Sequence, residues 1–165
     1  MIQLSIDEIN KNSLYRVKQV ADDTVEFSTD YGVEYRINFM TDCTIWEENA
    51  YQLVIINKNR RPSPNDEKLK QTLLAIVESF FSQNENILLY ICDTGDGKQS
   101  ARSKLFLRWF ASYSKVSEYY LKNTEIISEG VSNFAALIVR RDNPDVDDII
   151  QEFEHVTAML GSKPE

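Results

Sequence analysis

Between residues 33 and 39 apolar and polar positions alternate without a break. Val33, Tyr35, Ile37 and Phe39 fall on one side, and Glu34, Arg36 and Asn38 on the other. A period of two with one polar face predicts an antiparallel strand whose other face covers a core. Leu14 to Val20 and Thr24 to Thr29 read as preceding strands, joined by a turn at Asp22 and Asp23. Asp30, Tyr31 and Gly32 form the next turn, where glycine admits positive φ. Tyr51 to Asn57 is apolar on both faces, which places it more centrally.

The period then changes. A loop at Asn59 to Asn65 is punctuated by Pro62, Ser63 and Pro64, and Asn65 or Asp66 caps a helix. Leu69, Leu73, Ile76, Val77 and Phe80 recur at helical spacing along it, from about Asp66 to Ser82. Ile87 to Cys92 is a buried strand, followed by a helix from about Lys98 to Ser114. Tyr119 to Ile127 and Phe134 to Arg140 are strands separated by a turn at Glu129 and Gly130. Pro144 opens a last helix with an apolar face of Val146, Ile149, Ile150, Phe153 and Leu160. The order ββββ-α-β-α-ββ-α predicts an α+β fold, a mostly antiparallel sheet with about three helices packed on one face. No linker or repeat interrupts it, so one domain over residues 1–165 is expected, with an ordered core from about 14 to 160.

Composition refines this only slightly. With 42% hydrophobic and 27% charged residues in 165, the chain is an ordinary globular sequence. Its net charge of −8 argues against general nucleic-acid binding, which needs cations to displace counterions. The first residues lack a secretory pattern, and no apolar run approaches the roughly 20 residues of a membrane span. Cys43 and Cys92 have no metal-binding spacing and read as free thiols. A cytoplasmic protein with no membrane contact is expected.

Candidate chemistry is sparse. The single histidine, His155, falls opposite Val146 on the last helix among acids, so no histidine-centred catalysis and no transition-metal site is expected. Asp93 and Asp96 are too few for a calcium loop, and no glycine-rich phosphate signature occurs. Neither metal nor cofactor is expected. The segment from Ile87 to Phe110 nevertheless stands out, as a strand, an acidic glycine turn and a helix in succession, the order by which many α/β proteins present side chains. The bland reading of the turn is a cap by Thr94 or Asp96.

From Gly97 to Ser117 there is no acid, against Lys98, Arg102, Lys104, Arg108 and Lys115. Cations near a helix's positive end are disfavoured, so compensation is expected for Lys98 and Arg102. Projection gives an apolar stripe of Leu105, Trp109, Tyr113 and Val116, flanked by Phe106 and Ala101, with Arg102 inside it. A partly buried guanidinium must be paired, which predicts a bond from Arg102 to Asp93 or Asp96. Either that pair only locks the turn, or Asp93, Asp96, Lys98 and Arg102 form an anion pocket at the helix start.

Lys104, Arg108 and Lys115 gather on a separate side, a candidate interaction surface to which Arg60 and Arg61 could add. Asp142, Asp145, Asp147, Asp148, Glu152 and Glu154 could meet that side within the chain or across a dimer. The absence of a catalytic set favours a small acidic interaction or regulatory module without enzyme activity, binding another protein or itself. The alternative is a small-molecule or phosphate-binding protein, enzymes included, built on residues 93–102.

The chain resembles a bacterial family, chiefly from Bacteroidetes, classed only as a domain of unknown function. The resemblance is carried by Thr29 to Phe39, by Phe80 and Phe81, and by a third segment. That segment comprises Tyr90, Ile91, Cys92, Asp93, Asp96, Gly97, Arg102, Leu105, Phe106, Trp109 and Phe110. It implies a bacterial intracellular domain and no mechanism.

Overall fold

The alternating run forms a strand, as its period requires, and that strand anchors a sheet. The computed structural model describes the backbone of residues 2–93, 97–128 and 131–161, and their side chains except at 91–103, 126–128 and 131–133. Among the described residues the order is α1 (Ile6–Asn12), β1 (Lys18–Ala21), β2 (Thr24–Ser28), β3 (Glu34–Thr41), β4 (Ala50–Asn57), α2 (Glu67–Phe80), β5 (Ile87–Asp93), α3 (Gly97–Ala111), β6 (Tyr119–Ser128), β7 (Val131–Arg140) and α4 (Val146–Gly161). A 3-10 turn, Val116–Glu118, precedes β6. The class is α+β, with four helices and a seven-stranded sheet of order β1-β2-β3-β4-β5-β7-β6 among the described residues.

The sheet is mixed. β4 pairs β5 in parallel, whereas β1–β2, β2–β3, β5–β7 and β6–β7 are antiparallel. The parallel pair follows from the connection: a chain returning through α2 re-enters the sheet in the same direction. The chain divides into two compact units, one of Met1–Met40 with Leu53–Gln83, the other of Thr41–Gln52 with Asn84–Glu165.

In the first unit Val33, Tyr35, Ile37 and Phe39 are buried together with Val25 and Phe27 of β2. α2 buries Leu69, Leu73, Ile76, Val77 and Phe80, the spacing read from the sequence. Phe39 stacks on Phe80 with ring centroids 4.5 Å apart. On the polar face, Glu26 receives Arg36 at 2.7 Å and Lys58 at 3.2 Å, a cross-strand pair with a third charge added. Both cations hold the Glu26 carboxyl below its usual range, Arg36 most strongly.

Two expectations need correction in this unit. The first helix, α1, was not expected. Its seven residues bury only Ile9, too few for a period to show, but Ser5 and Glu8 make half of a capping box: the Ser5 hydroxyl accepts the Glu8 N–H at 3.4 Å. The strand expected over Leu14 to Val20 is shorter, since β1 begins at Lys18. Tyr15 and Val17 are buried and Leu14 and Arg16 exposed, so the alternation is real. The Asn10 amide serves Val17 in place of a ladder partner, accepting its N–H at 2.7 Å and donating to its carbonyl at 2.9 Å.

The turn before β3 has Gly32 at φ +76°, closed by hydrogen bonds from Thr29 N to the Val33 carbonyl and Gly32 N to the Thr29 carbonyl. The tip of the Arg61 guanidinium lies 2.8 Å from where a Cβ on residue 32 would stand. A flexible tip can move, whereas the backbone cannot leave its left-handed angle. Gly32→Ala should therefore lose roughly 1–2 kcal/mol in urea unfolding, and adding Arg61→Ala should not restore it.

In the second unit Ile87 and Leu89 of β5, with Ala135, Leu137 and Val139 of β7, pack against Ile149 and Phe153 of α4. The intervening positions Leu88, Tyr90, Ala136 and Ile138 are just as buried, and Tyr90 meets Phe106 of α3 with centroids 6.0 Å apart. α3 and α4 therefore cover opposite faces of β5 and β7, correcting the expectation of helices on one face. The reason is in the strands, which are apolar at consecutive positions and must be covered on both sides. Leu160, expected in the α4 core face, is exposed, and the α4 residues packed in that core are Val146, Ile149, Ile150, Phe153 and Val156. No helix of the described residues is long and apolar enough to cross a membrane.

Candidate functional site

β5 ends at Asp93, in register with Asn133, and α3 begins at Gly97. The expected strand and helix are thus present, and the turn expected between them at residues 94–96 lies outside the described residues. The side chains of Asp93, Asp96, Lys98 and Arg102, and with them the expected pairing of Arg102 to either aspartate, lie outside the described residues.

α3 is oriented by aromatic packing. Phe106, Leu107 and Phe110 are its buried side chains among the described residues, whereas Leu105 and Trp109 are half-buried. The apolar stripe expected along Leu105, Trp109, Tyr113 and Val116 is therefore rotated by about one residue. Phe110 explains the choice: it meets Phe106 at 6.0 Å, Tyr113 at 5.6 Å and Tyr119 of β6 at 5.1 Å. Two phenylalanines one turn apart can sink fully into such a cluster, while tryptophan and tyrosine keep a polar edge at its rim.

That orientation turns Lys104 and Arg108 outward, both exposed and one turn apart. The Lys104 ammonium lies 5.9 Å from the Phe134 ring centroid, within cation–π range. Among the described residues no carboxylate makes an ion pair with Lys104 or Arg108. Lys115 is also exposed and sits at the start of the 3-10 turn.

The acids expected to meet this side are placed elsewhere. Asp142 is engaged by Arg140, whose guanidinium donates to it at 2.8 and 3.0 Å, approaches Glu118 at 3.6 Å and lies 5.5 Å from the Tyr119 ring centroid. The pairing holds Asp142 below and Arg140 above their ordinary values. The Arg140 cluster was not foreseen; its signal was the opposed charges at Glu118, Arg140 and Asp142 beside two strand ends. Asp145, Asp147, Asp148 and Glu154 are exposed and Glu152 half-exposed around α4. Because α4 covers the other face of β5 and β7, its acids do not meet Lys104 and Arg108 within the chain. His155 is exposed among them, as its projection indicated.

Arg60 and Arg61 are exposed in the first unit. Arg60 takes φ +56°, and the loop is fastened by Asn57 donating to the Arg61 carbonyl at 2.8 Å and Asn59 to the Gly32 carbonyl at 2.8 Å. Arg61 lies over Gly32, so its guanidinium covers a turn.

One buried polar constellation escaped the sequence reading. Tyr15 donates its hydroxyl to Asp66 at 2.5 Å and accepts the Asp30 N–H at 3.3 Å. Asp66 also caps α2 by accepting the Lys68 N–H at 3.0 Å. Burial, then the bond to Asp66, pushes the Tyr15 phenol up to about 12. Every partner is internal to the unit, which makes this a clasp rather than a reaction centre. Among the described residues no group of three His, Cys, Asp or Glu side chains could hold a metal ion.

No curated protein and no solved structure matches the chain. A family model does match, over residues 65–155, and takes in α2, β5, α3, β6, β7 and most of α4 while leaving out the Thr29 to Phe39 strand. That match spans more than half of the sequence, and the chain belongs to the family of unknown function DUF6169.

Proposed function

We propose that this protein is a bacterial, cytoplasmic interaction or regulatory module without catalytic activity, which binds a macromolecular partner through the outward face of α3. The observation that carries this reading is the exposed pair Lys104 and Arg108, unopposed by any described carboxylate in a chain of net charge −8. Acids three or four residues away would stabilise such cations on a helix surface. This one has no acid from Gly97 to Ser117, and its aromatic underside holds the cations on a firm base. An acidic protein surface suits it better than nucleic acid, which the overall charge repels except at low salt. Asp93, Asp96, Lys98 and Arg102 are assigned the tether between β5 and α3, a role supported by the strand and helix on either side. The exposed thiol of Cys43 suits a reducing compartment, and the resemblance to Bacteroidetes proteins supports the bacterial origin.

The test is affinity capture from the source cells with wild type and with Lys104→Glu combined with Arg108→Glu. Both substitutions are at exposed positions and should leave unfolding unchanged within about 0.5 kcal/mol. Wild type should recover a partner, its own copies included, that the variant loses. Equal recovery by both, or recovery by neither, would contradict the proposal.

A further inference from the structure

Within the second unit, charge is sorted by sheet face. The layer formed by α3 presents Lys104 and Arg108, and the layer formed by α4 presents Asp147, Asp148 and Glu154, with Asp145 just ahead of the helix. β5 and β7 lie between them, with alternate side chains packed against each helix. Neither set can neutralise the other inside one molecule, yet each is the complement of the other between molecules.

We propose that the partner of the α3 face is a second copy of this chain, docking by the acidic face of its α4. This rests on the reading of α3 as an interaction surface and names its occupant. The dimensions suit one another. Lys104 and Arg108 are separated by about 6 Å along their helix, and Asp147 and Glu154 by about 10 Å along theirs, so two cations can sit within the acidic row of a helix laid alongside. Ile149 and Phe153 are turned into the core, which leaves the acidic side of α4 as its outer surface. The geometry also fixes the symmetry. A contact between two different surfaces is heterologous, and because these lie on opposite sides of one sheet, each added copy leaves one free face of each kind. The assembly grows head to tail rather than stopping at a two-fold dimer.

The experiment is sedimentation velocity on three full-length proteins: wild type, a basic-face variant (Lys104→Glu with Arg108→Glu) and an acidic-face variant (Asp147→Lys, Asp148→Lys and Glu154→Lys). Wild type should form dimers and larger species as concentration rises, and should lose them towards about 1 M salt, where the Debye length is ~3 Å. Each variant alone should sediment as a monomer. An equimolar mixture should assemble again, in strictly alternating order, because the intact basic face of one variant meets the intact acidic face of the other and the two reversed faces are complementary as well. A monomeric wild type at every concentration, variants that assemble as wild type does, or a mixture that stays monomeric while wild type assembles would each overturn the inference. If a variant fails to retain its circular dichroism, glutamine replaces the reversed charges, and loss of assembly is still required. A monomeric wild type that captures a different protein, or a nucleic acid, through Lys104 and Arg108 would sink self-assembly and leave α3 as a binding surface. Failure of capture as well would remove both.

Discussion

Phe110→Ala is expected to lower the unfolding free energy by about 3–5 kcal/mol. Phe110 is 1% exposed and touches Phe106, Tyr113 and Tyr119, so truncation empties a space bounded by large rings. Rings cannot collapse into such a space as flexible aliphatic chains can, and the cavity term adds to the lost transfer energy. Leu105→Ala is the control for helix rotation. Leu105 is only half-buried, and its loss should cost about half as much or less. Comparable losses in urea denaturation would mean that the stripe through Leu105 and Trp109 carries the packing, and that Lys104 and Arg108 are turned differently.

Tyr15 gives the second large effect, and it depends on pH. Its phenol titrates near 10 when exposed and is pushed up to about 12 in the fold, first by burial and then by its bond to Asp66. A raised value means that folding favours the protonated hydroxyl. The associated stability is fully present below pH 10 and is lost as pH rises from 10 towards 12. A shift of this size corresponds to roughly 2–3 kcal/mol. Urea midpoints taken between pH 9 and 12 should fall steeply for wild type. Tyr15→Phe should be less stable at neutral pH, by about 1–3 kcal/mol, because Asp66 loses a buried donor. Its midpoints should decline less steeply over the alkaline window. Equal slopes for the two proteins would show that Tyr15 does not ionise against Asp66. Lys68, raised by its bond to Asp30 at 2.9 Å, changes charge in the same direction in both proteins and cancels in the comparison.

The elements legible in the sequence were those with a long, clean period. β3 repeats every two residues and α2 every three or four, and both were placed within two residues of where they lie. α1 was missed because seven residues with one buried isoleucine carry no period, and only its cap betrays it. The pairing of β4 with β5 was open to inference, since a strand, a helix and a strand in succession favour a parallel return. Opposite-face packing of α3 and α4 was also open to inference, from the consecutive apolar residues of β5 and β7. The rotation of α3 was harder. A helix with Leu105, Phe106, Leu107, Trp109 and Phe110 has apolar residues around much of its girth, and the pocket beside Tyr90 and Tyr119 decides which of them sink. The basic side survived that error because Lys104 and Arg108 lie far from both versions of the stripe. The Tyr15–Asp66 clasp joins residues 51 apart, and no local pattern announces such a pair.

The central claim is that the outward face of α3 is a contact surface in the cell. Acylation of lysines with a reagent that enters intact source cells, followed by peptide mass spectrometry, tests it most directly. The exposed residues Lys11 and Lys18 serve as internal standards. Lys104 should be several-fold less reactive in the cell than in dilute purified protein, while Lys11 and Lys18 react alike in both. Equal reactivity of Lys104 in the two settings would contradict the account, and α3 would then be an ordinary solvated helix.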